Sequence, residues 1–154
     1  MFIDTIEIKH IIINLDGLVI IEGKRHIRKP YEFNDDDDEY PDIDIERPIL
    51  QALEYLIENF DCSIVSQFKD PKLKHIVNSC LELEGPPSMF PATNDMEEFR
   101  VVPQLSRAIN DSVVKPCNIV YFCGDIQSIN QAQNKRLGTI CWFDEDSKPP
   151  LKAR

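Results

Sequence analysis

Two polar side chains, Asn14 and Asp16, follow directly after the apolar run Ile11–Ile13 and precede Gly17. A run of β-branched residues predicts a buried strand, and ligands of open α/β sheets bind at the carboxyl ends of the strands. A carboxylate at such a strand end can act as a general acid or base. Because Asn, Asp and Gly are also common turn residues, a plain strand-to-turn junction is the alternative interpretation.

Three later segments carry groups that phosphoryl transfer requires. Ser66 ends a second apolar run, Arg100 comes shortly before Pro103, and Asp125 follows Gly124 after a third run. Phosphoryl transfer depends mostly on positioning and on neutralising the charge of the phosphoryl oxygens. A carboxylate can be the nucleophile, while a magnesium ion, a hydroxyl and a fixed cation hold the phosphate. Taken singly, Ser66 also fits a polar strand end and Arg100 an exposed residue at a helix start.

In order and spacing, these segments resemble the four motifs of the haloacid dehalogenase (HAD) superfamily. Those motifs are a strand ending in Asp-x-Asp-Gly, a strand ending in Ser or Thr, a Lys at a helix start, and a strand ending in Gly-Asp. The resemblance covers residues 8–143 and implies a magnesium-dependent phosphohydrolase that acts through an aspartyl-phosphate. It implies a nucleophile position at Asn14, an acid/base at Asp16 and a cation at Arg100. It assigns phosphate binding to Ser66, Gln67 and Gly17, and the Mg²⁺ site to Asp125, Asn14 and Asp16, with Asn130 behind them.

This chain departs from the HAD pattern at three of those positions. Asn14 stands where the family has the nucleophilic Asp, and an amide oxygen is both a poor nucleophile and a neutral metal ligand. Asn130 replaces a second carboxylate near the metal. Arg100 keeps the charge of the usual Lys but not its compact ammonium group. We therefore expect a catalytically impaired domain, a pseudoenzyme that binds Mg²⁺ weakly.

Two other functions are open from the sequence. The first is an active phosphatase whose nucleophile has been replaced by Asn14, in which Asn14→Asp restores turnover. The second is a protein-interaction module that uses an acidic loop at residues 34–46. That module predicts that deleting residues 35–42 abolishes partner binding, whereas Asp125→Ala leaves it intact.

Charge and composition narrow the classes of partner. The 154-residue chain has a net charge of −10, and much of it lies between residues 35 and 46. An acidic surface disfavours nucleic acid and anionic membranes, so neither is expected as a partner. A phosphorylated small molecule, a phosphorylated protein or a second copy of the chain is expected instead. Five cysteines without C-x-x-C spacing and no signal-like start predict a cytoplasmic protein with reduced thiols.

Hydrophobic periodicity predicts an α/β fold, namely a Rossmann-like, doubly wound parallel sheet of about five strands with helices on both faces. We expect a single domain over residues 1–154, with a loose tail at residues 144–154 and no large cap. The expected strands lie near residues 10–15, 62–66, 89–90, 118–123 and 139–143. The expected helices lie near residues 49–60, 70–81, 103–110 and 127–137, with Asp70 as an N-cap and Gly138 as a C-cap.

Overall fold

The computed structural model describes residues 2–3, 6–21, 24–25, 43–81, 83, 85, 87–94, 96–97, 100–124 and 126–141. Most of the predicted acidic loop (residues 34–42), Asp125 and the predicted tail (residues 144–154) lie outside these residues.

Ten strands and four α-helices make up most of the described secondary structure. The strands are β1 (Phe2–Ile3), β2 (Ile6–Glu7), β3 (His10–Asn14), β4 (Val19–Ile21), β5 (Lys24–Arg25), β6 (Ile43–Ile45), β7 (Cys62–Lys69), β8 (Ser88–Ala92), β9 (Ile119–Cys123) and β10 (Gly138–Cys141). The helices are α1 (Arg47–Asn59), α2 (Asp70–Cys80), α3 (Val102–Ser112) and α4 (Ile126–Asn134).

The central sheet has five parallel strands in the order β10-β9-β3-β7-β8. Strand β3 lies in the middle, so the chain leaves it toward β7 on one side and later returns to β9 on the other. The carboxyl ends of β3, β7 and β9 therefore meet at one edge, next to the point where the strand order reverses. The predicted Rossmann-like α/β sheet is confirmed.

Helices cover both faces of this sheet. Residues of α1 and α2, among them Leu53 and Ile76, pack with Ile11 and Ile13 in one buried cluster. Residues of α3 and α4 pack with Ile12 in a second cluster. The alternation of β3 side chains between the two clusters follows from the period of two in a strand. The same alternation places Asn14 on the α3–α4 face.

A second, three-stranded antiparallel sheet has the order β5-β4-β6. Strand β4 follows the predicted turn at Gly17, and Val19 pairs with Ile45 of β6. Residues 43–45 were expected to belong to the acidic loop, and the structure shows a strand there instead. Alternation explains the difference, because Ile45 is buried while Asp44 between the two isoleucines is exposed.

Two predicted helix caps differ from the structure. Asp70 is the first residue of α2 rather than its N-cap, and its carboxylate pairs with Lys74 at 3.0 Å. Helix α4 ends at Asn134, and Arg136 adopts the left-handed conformation (φ 62°) that a C-terminal glycine was expected to supply. The Leu137 N–H reaches back to the Ala132 carbonyl at 2.9 Å and completes this cap. Gly138 instead begins β10.

None of the helices that the structure describes is long and apolar enough to cross a membrane. Among the residues that the structure describes, Cys62, Cys80, Cys117 and Cys123 are free cysteines. Burial raises the pKa of the Cys62 thiol to about 12, with Asp61 adding to the effect. That thiol is therefore protonated at neutral pH and serves as a packing group.

Candidate functional site

Asn14 is the last residue of β3, and its amide is held on both sides by the protein. Nδ2 donates to the Tyr121 hydroxyl at 2.9 Å and to Ser128 Oγ at 3.4 Å. Oδ1 accepts the backbone N–H of Asp16 at 3.0 Å. Because a backbone N–H can only donate, this last bond fixes which end of the amide carries the oxygen. Only 2% of Asn14 is exposed.

The carboxylate of Asp16 lies against the end of β7. Oδ1 accepts the Ser66 hydroxyl at 2.6 Å, and Oδ2 accepts the backbone N–H of Gln67 at 2.8 Å. Ser66 Oγ in turn accepts the backbone N–H of Phe68 at 2.9 Å, so the hydroxyl proton belongs to the bond with Asp16. Asp16 is 1% exposed and Ser66 is fully buried.

An irregularity in the ladder between β7 and β8 makes these donors available. Val65 pairs with Phe90 and Lys69 pairs with Ala92, so residues 66–68 lie opposite the single residue Pro91. Proline has no N–H, and a bulge removes N–H groups of the longer strand from the ladder. The N–H groups of residues 67 and 68 can thus serve the Asp16 carboxylate and the Ser66 hydroxyl.

Gln104 of α3 holds the same segment from the other side. Its Nε2 donates to the Ser66 carbonyl at 3.0 Å and lies 2.8 Å from the Arg100 carbonyl. Gln104 is fully buried. The sequence motifs did not single out Gln104. Its position directly after Pro103, in the first turn of a helix that packs on β7, was the available clue.

Gly17 and Gly124 bring two strand ends into direct contact. A Cβ on Gly124 would lie 2.4 Å from the Gly17 carbonyl oxygen, a distance that packed atoms do not reach. The turn after β3 and the turn after β9 therefore touch through backbone atoms. This contact requires glycine at position 124, and it brings Gly17 of the first sequence motif next to Gly124 of the fourth.

Comparison with solved structures identifies the architecture. A HAD family enzyme from Bacteroides thetaiotaomicron, in complex with magnesium and inorganic phosphate, superposes with a TM-score of 0.60 at 15% identity, covering 92% of this chain and 98% of that one. This chain has a HAD-like fold. A cobalt-bound deoxy-D-mannose-octulosonate 8-phosphate phosphatase from Haemophilus influenzae gives a TM-score of 0.53 at 12% identity, covering 88% of this chain and 68% of that one. A predicted HAD-like hydrolase from Porphyromonas gingivalis gives 0.53 at 12% identity, covering 92% and 93%.

No protein-family model and no curated protein matches the sequence. The likeness to HAD-like structures therefore lies in the backbone. Identities of 12–15% leave the chemistry of the site to be argued from this chain's own residues.

Four of the predicted site residues lie in mutual contact at the end of β3 and β7. Asn14, Asp16, Ser66 and Gln67 form one hydrogen-bonded group. Arg100 precedes α3 and is exposed. Its backbone carbonyl accepts a hydrogen bond from Gln104, which also holds the Ser66 carbonyl.

Helix α4 reaches Asn14 through Ser128, a residue that the sequence motifs did not indicate. Ser128 is 2% exposed, whereas Asn130 on the same helix is exposed. Tyr121 of β9 was likewise predicted only as part of a strand, although its hydroxyl bonds Asn14. Asp125, the predicted metal anchor, lies outside the described residues.

The described side chains do not fit a magnesium site. Among the residues that the structure describes, no three carboxylate, imidazole or thiol groups are close enough to hold a metal ion. Asn14 carries no charge, and both carboxylate oxygens of Asp16 already accept hydrogen bonds. Magnesium prefers several oxygen ligands, including anionic ones, in an octahedral arrangement, and Asp16 supplies the single carboxylate of this group.

A second buried polar pair lies at the opposite end of β3. His10 Nε2 is 2.7 Å from Ser63 Oγ of β7, and His10 is 7% exposed. Burial lowers the pKa of His10, although Asp61 and Asp111 act in the opposite direction. The imidazole is therefore neutral in the folded protein under conditions in which it is partly charged in the unfolded chain.

We expect this histidine to make the domain sensitive to acid. Its stabilisation is complete above the ordinary histidine pKa of about 6.5 and is lost as the pH falls below that value, because the unfolded chain then binds the extra proton. In urea unfolding between about pH 7.5 and 5, His10→Gln should show a smaller loss of stability than the wild type. His75→Gln, at a partly exposed position of α2, is the matched control. An equal slope in wild type and His10→Gln would contradict the assignment.

Proposed function

We propose that this chain is a HAD-like domain that has lost, or nearly lost, phosphohydrolase activity and that acts by binding. The observation that carries the proposal is the hydrogen-bonded group at the end of β3. Asn14 and Asp16, at the two positions where the family places its nucleophile and acid/base, are both buried and bound to the protein itself.

Asn14 is unsuited to covalent catalysis for two reasons. An amide oxygen is a weak nucleophile, and in this protein it already accepts the N–H of Asp16. In-line attack also needs the phosphorus within about 3 to 3.5 Å of the nucleophilic oxygen. A residue that is 2% exposed, and whose Nδ2 is bound to Tyr121 and Ser128, presents little surface for that approach.

Asp16 is equally unsuited to protonate a leaving group in this arrangement. Its two oxygens accept bonds from Ser66 and Gln67, the residues that the HAD resemblance assigns to phosphate binding. A phosphate oxygen and the Asp16 carboxylate would therefore compete for the same two donors.

Magnesium binding is proposed to be weak. The Bacteroides enzyme holds magnesium and inorganic phosphate, and when bound in such a site the metal neutralises phosphate charge. In this chain, Asp125 is the carboxylate left for the metal once Asn14 and Asp16 are set aside. The expected partner is another protein or a second copy of the chain, whereas a phosphate-bearing small molecule or protein would have to displace Asp16 from the Ser66 and Gln67 donors.

Steady-state hydrolysis of an aryl phosphate tests the proposal. With magnesium present, the wild-type protein is expected to match the Asp125→Ala variant, which serves as the blank. Turnover above that blank, which also depends on magnesium concentration, would overturn the proposed loss of activity.

A further inference from the structure

The donors around Asp16, namely the Ser66 hydroxyl and the Gln67 N–H, form a cradle. Both point at one carboxylate, at 2.6 and 2.8 Å. Both belong to residues at least nine-tenths buried, with Ser66 at 0% and Gln67 at 5% exposure. A buried pair of donors aimed at two oxygens of one group is a strong local site for an anion.

The Ser66 hydroxyl and the Gln67 N–H are held in place by contacts other than those with Asp16. The bulge opposite Pro91 takes the N–H groups of residues 67 and 68 out of the ladder. Phe68 donates to Ser66 Oγ, and Gln104 holds the Ser66 carbonyl. None of these contacts involves the Asp16 side chain, so the donors should keep their positions when that carboxylate is removed.

We propose that Asp16 is the resident occupant of this cradle and closes it to tetrahedral oxyanions of the phosphate class. The inference rests on the proposed function, because it gives Asp16 the role of an internal ligand in place of an acid/base. A phosphate needs the same two donors, and its negative charge is repelled by a buried carboxylate at the same place. Removing the carboxylate leaves the cradle open and removes one negative charge.

Titration calorimetry with inorganic phosphate tests the proposal on four proteins. They are the wild type, Asp16→Ala, Ser66→Ala and the double variant. Asp16→Ala should bind phosphate about tenfold or more tightly than the wild type, the factor expected from one charge-assisted hydrogen bond released to the ligand. The double variant should lose this gain.

Asp16→Asn covers the case in which Asp16→Ala does not fold. The amide is the same size as the carboxylate and uncharged, so a smaller gain in phosphate affinity is expected, again abolished by Ser66→Ala. Wild-type affinity in a folded Asp16 variant would overturn the proposal. A gain that survives Ser66→Ala would overturn it as well, because phosphate would then be binding elsewhere.

This experiment is separable from the test of the proposed function. Turnover of aryl phosphate by the wild type would overturn the loss of activity, whatever the calorimetry shows. Unchanged phosphate affinity in the Asp16 variants, with the wild type inactive, would overturn the cradle alone.

Discussion

Replacing Asn14 by Asp is expected to lower the free energy of unfolding by roughly 2–4 kcal/mol at neutral pH, which is the range for a buried charge with partial compensation. The new carboxylate would be almost fully buried, two residues from the carboxylate of Asp16. The hydroxyls of Tyr121 and Ser128 can turn to donate to it, and this limits the cost. Urea unfolding followed by circular dichroism measures the change.

The control for this variant is Asn110→Asp, the same substitution at an exposed position of α3. Surface substitutions of this kind usually stay within about 0.5 kcal/mol of the wild type. If millimolar magnesium restored the stability of Asn14→Asp, the site would bind the metal. If the variant were as stable as the wild type without magnesium, the site would accommodate the second carboxylate without cost. The first result would contradict the proposed weak binding of magnesium, and the second would contradict the expected cost of burying the charge.

Gly124→Ala is expected to destabilise the domain by about 3 kcal/mol, the upper part of the range for overpacking. The added methyl group would meet the Gly17 carbonyl oxygen at 2.4 Å and the carbonyl carbon at 2.6 Å. Because both belong to backbone, relief requires the turns after β3 and β9 to move apart. Urea unfolding measures this change, and we expect the midpoint concentration of urea to fall well below that of the wild type.

Gly85→Ala is the matched control, because a Cβ at Gly85 meets no atom within 4 Å. It should leave the midpoint close to that of the wild type. Similar midpoints for the two alanine variants would show that the two turns do not pack as described.

The fold was predictable because hydrophobic periodicity determines it locally. Ile11–Ile13 and the run before Gly124 are uninterrupted apolar segments, which is typical of strands covered on both faces. Where local signals were weak the prediction was wrong. Gly138 looked like a helix cap, but the chain turns at Arg136, where bonds to residues 132 and 133 stabilise a left-handed conformation.

The sequence predicts which site residues follow the ends of neighbouring strands, but not the hydrogen bonds between them. Asp16 and Ser66 were expected to lie together because the carboxyl ends of neighbouring parallel strands meet at one edge. Their direct hydrogen bond was not predictable, because it depends on the bulge opposite Pro91, which lies in a strand 25 residues farther along the chain. The contact of Tyr121 with Asn14 was not predictable either. A tyrosine in an apolar strand is interpreted as a packing residue unless the partner of its hydroxyl is known.

The central claim is that phosphohydrolase activity is lost and that Asn14 is not its sole cause. Hydrolysis of an aryl phosphate in the presence of magnesium, by the wild type and by Asn14→Asp, tests this claim most directly. Asp125→Ala in the Asn14→Asp background serves as the blank. We expect both proteins to stay at the blank, because Asp16 remains bound to Ser66 and Gln67 whichever residue stands at position 14. Turnover by Asn14→Asp alone would contradict this claim and would show an intact phosphatase blocked only by Asn14.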